Sequence, residues 1–150
     1  MNLNNIHNVY LIGIGGIGMS ALARYFYANK KQVAGYDKTP TDLTDSLIAN
    51  GINVHFVDSI QLIDNMFLNI DNTLVIYTPA VPGSHKQLEY FKNKGYQVLK
   101  RSQVLGLITE QTFCLAIAGT HGKTTTTSIL GHLMFECNVP LTAFLGGISE

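Results

Sequence analysis

The sequence contains few charged residues. Lys, Arg, Asp and Glu make up 13% of its 150 residues, and ten basic side chains balance ten acidic ones. Nucleic-acid-binding proteins usually carry a clustered basic surface, and electrostatic attachment to an anionic membrane needs a similar cluster. The composition therefore argues against both classes, and we expect neither a nucleic-acid nor a membrane partner.

Cysteines and long apolar runs are also scarce. Cys114 and Cys137 are too few for the disulfide framework of a small secreted domain. Both lie in apolar stretches, so we expect them to be buried, reduced side chains. No apolar run reaches the roughly 18 residues that span a membrane. Residues 9–23 superficially resemble a signal peptide, but no Lys or Arg precedes them and glycines interrupt them. We therefore expect a cytoplasmic protein.

The 46% of hydrophobic residues are arranged in alternating strand-length and helix-length segments. We predict strands at 8–12, 32–36, 52–56, 73–77 and 96–100. Helices are predicted after residue 17, from an N-cap at Thr41, from a capping box formed by Ser84 and Gln87, and over 102–111. Residues 60–69 are ambiguous. Such alternation is typical of a parallel, doubly wound α/β sheet, and residues 1–108 would complete one such domain.

A second α/β unit begins after this domain. The apolar run 113–118 predicts a strand, and it leads into a glycine loop and then a helix. That helix would carry apolar residues at helical spacing, namely Ile129, Leu130, Leu133, Met134 and Cys137. We therefore expect residues 109–150 to be the incomplete beginning of a second α/β domain.

The first glycine loop, residues 13–18, matches the pattern G-x-G-x-x-G between a strand and a helix. Its glycines let the backbone approach a diphosphate, and the helix N-terminus supplies free N–H donors. Asp37 ends the second strand, where a Rossmann-like site places the carboxylate that binds a ribose. The pattern predicts a site for a diphosphate next to a sugar, of which NAD is the usual example. The alternatives are a tight turn that binds nothing and, for Asp37, a turn residue.

The second glycine loop contains Gly122-Lys123-Thr124 after a predicted strand and before a helix. In such a phosphate loop the backbone N–H groups surround phosphate oxygens, the lysine neutralises them, and the hydroxyl can bind Mg²⁺. Ile117 stands where the full motif has its first glycine, so the loop is a tighter variant. His121 lies inside it and could contact phosphate or only shape the turn. Thr125, in the first helical turn, could also reach a phosphate.

The two loops, in this order, resemble those of the Mur ligases of bacterial peptidoglycan synthesis. Residues 11–20 and 117–127 carry the resemblance, which extends to the turn 78–81 and to Arg101. It implies an ATP- and Mg²⁺-dependent amide ligase that joins L-alanine to UDP-N-acetylmuramate through an acyl phosphate, with a Rossmann-like first domain that binds the UDP-sugar.

The resemblance also implies the roles of individual residues. Lys123 would be catalytic and Thr124 would bind the metal. The implied UDP-substrate residues are Gly13, Gly15, Gly16, Ile17, Gly18, Asp37, Thr78, Pro79, Ala80 and Arg101. The implied ATP residues are Gly119, Thr120, His121, Gly122, Lys123, Thr124 and Thr125.

The family also has a complete central domain and a C-terminal domain that receives the amino acid. We therefore expect this chain to be an N-terminal fragment that cannot ligate alone. The alternative is an NAD(H)-binding oxidoreductase or a nucleotide-sensing regulatory domain. That alternative explains the first loop and Asp37 but leaves the second loop without a function.

Overall fold

The structure is a computed structural model that describes residues 3–145. The strands are β1 (Asn8–Ile12), β2 (Gln32–Tyr36), β3 (Asn53–His55), β4 (Thr73–Tyr77) and β5 (Gln97–Lys100). The α-helices are α1 (Ile17–Ala28), α2 (Asp42–Ala49), α3 (Lys86–Asn93), α4 (Arg101–Gln111) and α5 (Lys123–Glu136). The ambiguous segment 60–69 forms two short 3₁₀ turns, Ile60–Leu62 and Asn65–Leu68.

The five strands form one parallel sheet in the order β3-β2-β1-β4-β5. The first strand, β1, is central and pairs with β2 on one side and β4 on the other. It is buried along its whole length, which explains why its sequence is a continuous apolar run. The strand order reverses between β1 and β4, and ligands of such sheets bind at the carboxyl ends of the strands beside this point.

Both faces of the sheet are covered, as the doubly wound prediction requires. Alternate residues of β1 point to opposite faces. Val9 and Leu11 belong to a core shared with α1, α2 and α4. Tyr10 and Ile12 belong to a second core shared with α3 and the 3₁₀ turns. The predicted fold class is therefore confirmed for the five-stranded sheet.

The start of α3 differs from the prediction. Its N-cap is His85, whose side chain accepts from the helix backbone, and the predicted cap Ser84 lies outside the helix. A second cap comes from a distant loop, because the carboxylate of Asp58 accepts from the backbone N–H groups of Lys86 (2.9 Å) and Gln87 (3.2 Å). A contact between residues so far apart in the sequence has no local signature.

The strand predicted at 113–118 does not form, because no strand in residues 3–145 pairs with this segment. An extended segment gains backbone hydrogen bonds only from a partner strand, and Phe113 is left 91% exposed. The prediction that both cysteines are buried is also wrong. Cys114 lies in this unpaired segment, and Cys137 follows α5, which buries none of its residues, so both thiols are exposed.

The division of the chain at residue 108 stays a prediction, and that residue lies within α4. Residues 146–150, the end of the predicted second domain, lie outside the described residues. Within residues 3–145, no helix combines the length and the hydropathy needed to cross a bilayer.

Candidate functional site

The first glycine loop lies at the carboxyl end of β1, beside the end of β4. The backbone N–H groups of Gly13 and Ile14 donate to the carbonyl oxygen of Tyr36, at 2.7 and 3.0 Å. Gly13 has a φ of +87°, and a methyl group added to it would lie 2.6 Å from Cγ2 of Thr78. Both the conformation and the close approach require glycine here. The loop is thus fixed between the ends of β2 and β4.

The other glycines of the loop face different surroundings. A methyl group on Gly15 would lie 2.8 Å from Cγ2 of Thr44 and 2.9 Å from Oδ2 of Asp37. A methyl group on Gly18 would lie 2.9 Å from Nη1 of Arg101. Gly16 is less crowded, because an added methyl group would make only ordinary van der Waals contacts, the nearest at 3.7 Å to the carbonyl oxygen of Gly13. The open side of the loop is therefore at Gly16, where a ligand can approach the backbone.

The donors of the loop divide into occupied and available groups. The N–H of Gly15 donates to Oδ2 of Asp37 at 2.7 Å, although the resemblance had assigned it to the diphosphate. The N–H groups of Ile17 and Gly18 have no acceptor among residues 3–145. They lie in the first turn of α1, where the helix dipole favours an anion. With the guanidinium of Arg101 beside Gly18, these two amides form a site suited to a phosphate group.

A cavity of about 350 Å³ opens beside these donors. Thr78 and Arg101 supply polar side chains to its wall, and Leu105 and Phe144 supply apolar ones. The structure thus places Asp37, Thr78 and Arg101 around the glycine loop, and their assignment to a UDP-substrate stays a prediction. Pro79 and Ala80 lie in the exposed turn after β4 and are not among the residues that line the cavity.

Sequence reasoning missed a partly buried polar cluster beside the carboxyl end of β3. The hydroxyl of Tyr10 lies 2.6 Å from Nε2 of His55 and 3.1 Å from Oε1 of Gln87. Nδ1 of His85 lies 3.3 Å from Oδ1 of Asp58. Burial lowers the pKa of both histidines, and the Asp58 charge opposes that shift. These residues come from separate elements, so no local pattern could group them.

The second glycine loop is exposed and makes its contacts within itself. The ammonium group of Lys123 donates to the carbonyl oxygens of Gly119 (2.6 Å) and Thr120 (3.1 Å). Gly122 caps α5 with a φ of +76°, a conformation that favours glycine. An ammonium group has three N–H donors, so one donor of Lys123 remains for a phosphate oxygen beside these two carbonyl oxygens.

The remaining residues assigned to this loop are also exposed, namely His121, Thr124 and Thr125. Residues 3–145 contain no group of three His, Cys, Asp or Glu side chains that could hold a metal ion. A Mg²⁺ ion at this loop would therefore need nucleotide phosphates and water as its main ligands, and the assignment of the Thr124 hydroxyl as a further ligand stays a prediction.

Comparisons with known proteins point to one family. The family model described as the Mur ligase family, catalytic domain, matches residues 8–112. A UDP-N-acetylmuramate–L-alanine ligase of Flavobacterium psychrophilum is 63% identical over 150 residues, which are all of this chain and 33% of that protein. The chain thus spans about a third of the length of this relative.

Solved structures show the same fold. The UDP-N-acetylmuramate–alanine ligase of Thermotoga maritima superposes with a TM-score of 0.82 and 31% identity, covering 95% of this chain and 32% of that one. The UDP-N-acetylmuramate:L-alanyl-gamma-D-glutamyl-meso-diaminopimelate ligase from Neisseria meningitides superposes with a TM-score of 0.79 and 26% identity. It covers 97% of this chain and 44% of that one.

Proposed function

The chain belongs to the Mur ligase family, and we propose that it is the substrate- and phosphate-binding part of a UDP-N-acetylmuramate–L-alanine ligase. The observation that carries the proposal is the first glycine loop. It lies where the strand order reverses and presents the available N–H groups of Ile17 and Gly18 beside the Arg101 guanidinium. The 63% identity to a ligase of that name supports the choice of substrates.

In the proposed reaction, an oxygen of the lactyl carboxylate attacks the γ-phosphorus of ATP, and ADP leaves. The amine of L-alanine then attacks the carbonyl carbon of the acyl phosphate. Inorganic phosphate leaves with the electrons of the broken C–O bond, and the nitrogen loses a proton as the amide forms. Such transfers depend mainly on positioning and on neutralising phosphate charge. Lys123 would neutralise charge on the ATP phosphates.

Each loop would hold one substrate. The UDP diphosphate would accept hydrogen bonds from Ile17, Gly18 and Arg101, and the uridine would lie towards Asp37 and the turn at 78–81. The phosphates of ATP would contact the second loop, residues 119–125. Mg²⁺ would neutralise charge on those phosphates, and the Thr124 hydroxyl would be one of its ligands.

The chain spans about a third of the length of the ligase of Flavobacterium psychrophilum. We therefore assign the L-alanine site to the parts of the ligase outside these 150 residues, and we expect no amide formation by this chain alone. Because the reaction uses ATP and a nucleotide-sugar, we place it in the cytoplasm.

Calorimetric titration with UDP-N-acetylmuramate, with NADH as a parallel ligand, tests the proposal. We expect saturable binding of the UDP-sugar and none of NADH. Gly16→Leu is the informative variant, because its Cβ would make only ordinary contacts, the nearest at 3.7 Å, while its bulk would obstruct the approach of a ligand to the loop. It should abolish binding while the thermal unfolding temperature stays near that of the wild type. Binding of NADH without binding of the UDP-sugar would favour the redox or sensing alternative.

A further inference from the structure

The carboxylate of Asp37 accepts hydrogen bonds from the protein backbone. Oδ2 accepts the N–H of Gly15 at 2.7 Å, and Oδ1 accepts the N–H of Thr39 at 3.2 Å. The backbone N–H of Asp37 donates in turn to the carbonyl oxygen of His55 at 3.1 Å. The backbone of Asp37 is therefore fixed by β3, while its carboxylate holds the glycine loop.

Together with Tyr36, Asp37 holds three consecutive residues of the loop. The carbonyl oxygen of Tyr36 accepts from Gly13 and Ile14, and the carboxylate of Asp37 accepts from Gly15. These bonds determine where the chain turns into α1. Gly16 comes next and donates its N–H to the carbonyl oxygen of Gly13 at 3.4 Å, and the available amides of Ile17 and Gly18 follow it.

Asp37 is negatively charged and lies beside a proposed anion site, so the effect of removing it on diphosphate affinity distinguishes between its possible roles. A carboxylate near a diphosphate repels it, so charge alone predicts that removing Asp37 strengthens diphosphate binding. A carboxylate that holds the loop in its binding conformation predicts the opposite sign. If Asp37 instead contacts the ribose of the ligand, its removal should weaken the binding of only those ligands that contain a ribose.

We propose that Asp37 is a positioning residue, whose bond to the Gly15 N–H orients the Ile17 and Gly18 amides towards the diphosphate. This inference rests on the proposed function, and it replaces the ribose contact as the main role of Asp37. The occupied Gly15 N–H also confines phosphate binding to the helix side of the loop, next to Arg101.

The test compares Asp37→Ala with Asp37→Asn, using inorganic pyrophosphate, UDP and UDP-N-acetylmuramate as ligands. Pyrophosphate contains no ribose, so a change in its binding reports on the loop. We expect Asp37→Ala to weaken all three ligands by about tenfold, which corresponds to the loss of one charge-assisted hydrogen bond. Asp37→Asn should stay within about threefold of the wild type, because its amide oxygen can still accept from Gly15. Unchanged or tighter pyrophosphate binding by Asp37→Ala would overturn the inference.

Amide resonances of the ligand-free protein give an independent readout. In Asp37→Ala, the resonances of Gly15, Ile17 and Gly18 should move, while those of Asn8 and Thr73, at the opposite ends of β1 and β4, should not. In Asp37→Asn the Ile17 and Gly18 resonances should stay near their wild-type positions. If Asp37→Ala leaves them in place, the inference fails whether or not a ligand binds. If the wild type binds no UDP-N-acetylmuramate, the proposed function fails, and the resonances alone then decide the role of Asp37.

Discussion

Replacing Gly18 by alanine should weaken substrate binding without unfolding the protein. The added methyl group would lie 2.9 Å from Nη1, 3.1 Å from Cδ and 3.2 Å from Cζ of Arg101. These atoms belong to the flexible end of a side chain, so Arg101 can move away at little expense in stability. Alanine is also the better helix former by about 0.5–1 kcal/mol, which offsets part of any strain.

The expected loss of affinity follows from the contact that Arg101 would lose. A hydrogen bond to a charged group contributes about 1.5–3 kcal/mol, and each 1.4 kcal/mol is about a tenfold change in the dissociation constant. Gly18→Ala should therefore weaken UDP-N-acetylmuramate binding by roughly 10- to 150-fold. Gly106→Ala serves as the control, because Gly106 also lies in a helix, α4, and its added methyl group would meet no atom within 4 Å.

A double-mutant cycle measured by calorimetry separates this mechanism from a direct effect on the loop. The four proteins are the wild type, Gly18→Ala, Arg101→Ala and the double variant. If the methyl group acts by displacing Arg101, it should have little effect once Arg101 is absent. An equally large effect of Gly18→Ala in both backgrounds would refute the reasoning, as would wild-type affinity of Gly18→Ala alone.

Three further predictions follow. Gly35→Ala should lower the free energy of unfolding, measured by urea titration, by about 2–3 kcal/mol, because its methyl group would overlap the carbonyl oxygen of Leu11 in the neighbouring strand. Unchanged stability of this variant would contradict the close approach of Gly35 to Leu11. Burial lowers the pKa of His55 and His85, so the folded protein disfavours their protonation. Their contribution to stability is present above about pH 6.5, the pKa of an unfolded histidine, and is lost as the pH falls through the lowered values. The unfolding temperature should therefore drop between pH 7 and pH 5, and less so in His55→Gln; an equal drop in both proteins would count against this. Lys123→Ala should weaken MgATP binding by at least about tenfold, since it removes a charged donor, yet keep UDP-N-acetylmuramate affinity within about twofold; equal loss of both ligands would show that the loops are not independent.

The five strands of the sheet were predictable because each is a short, mostly apolar run between turn residues. The cap at Thr41 was predictable for a similar reason, since its partner Thr44 is three residues away and both hydrogen bonds form. The start of α3 was not, because one of its caps comes from Asp58 across the fold. The segment 113–118 has a strand-like sequence, but a strand also needs a neighbour to pair with.

The sequence by itself determined the alternation of strands and helices, the glycine pattern and the Gly-Lys-Thr loop. These features depend on side-chain periodicity and on residues that are adjacent in the chain. Only the tertiary structure decided which loop amides are available, that Asp37 holds Gly15, and that Arg101 lies against Gly18. Those contacts are made between residues that follow different strands, and their distances depend on the order of the strands and on how the helices pack. The donors and charges of the site therefore follow from the fold, while the residues that could supply them are already visible in the sequence.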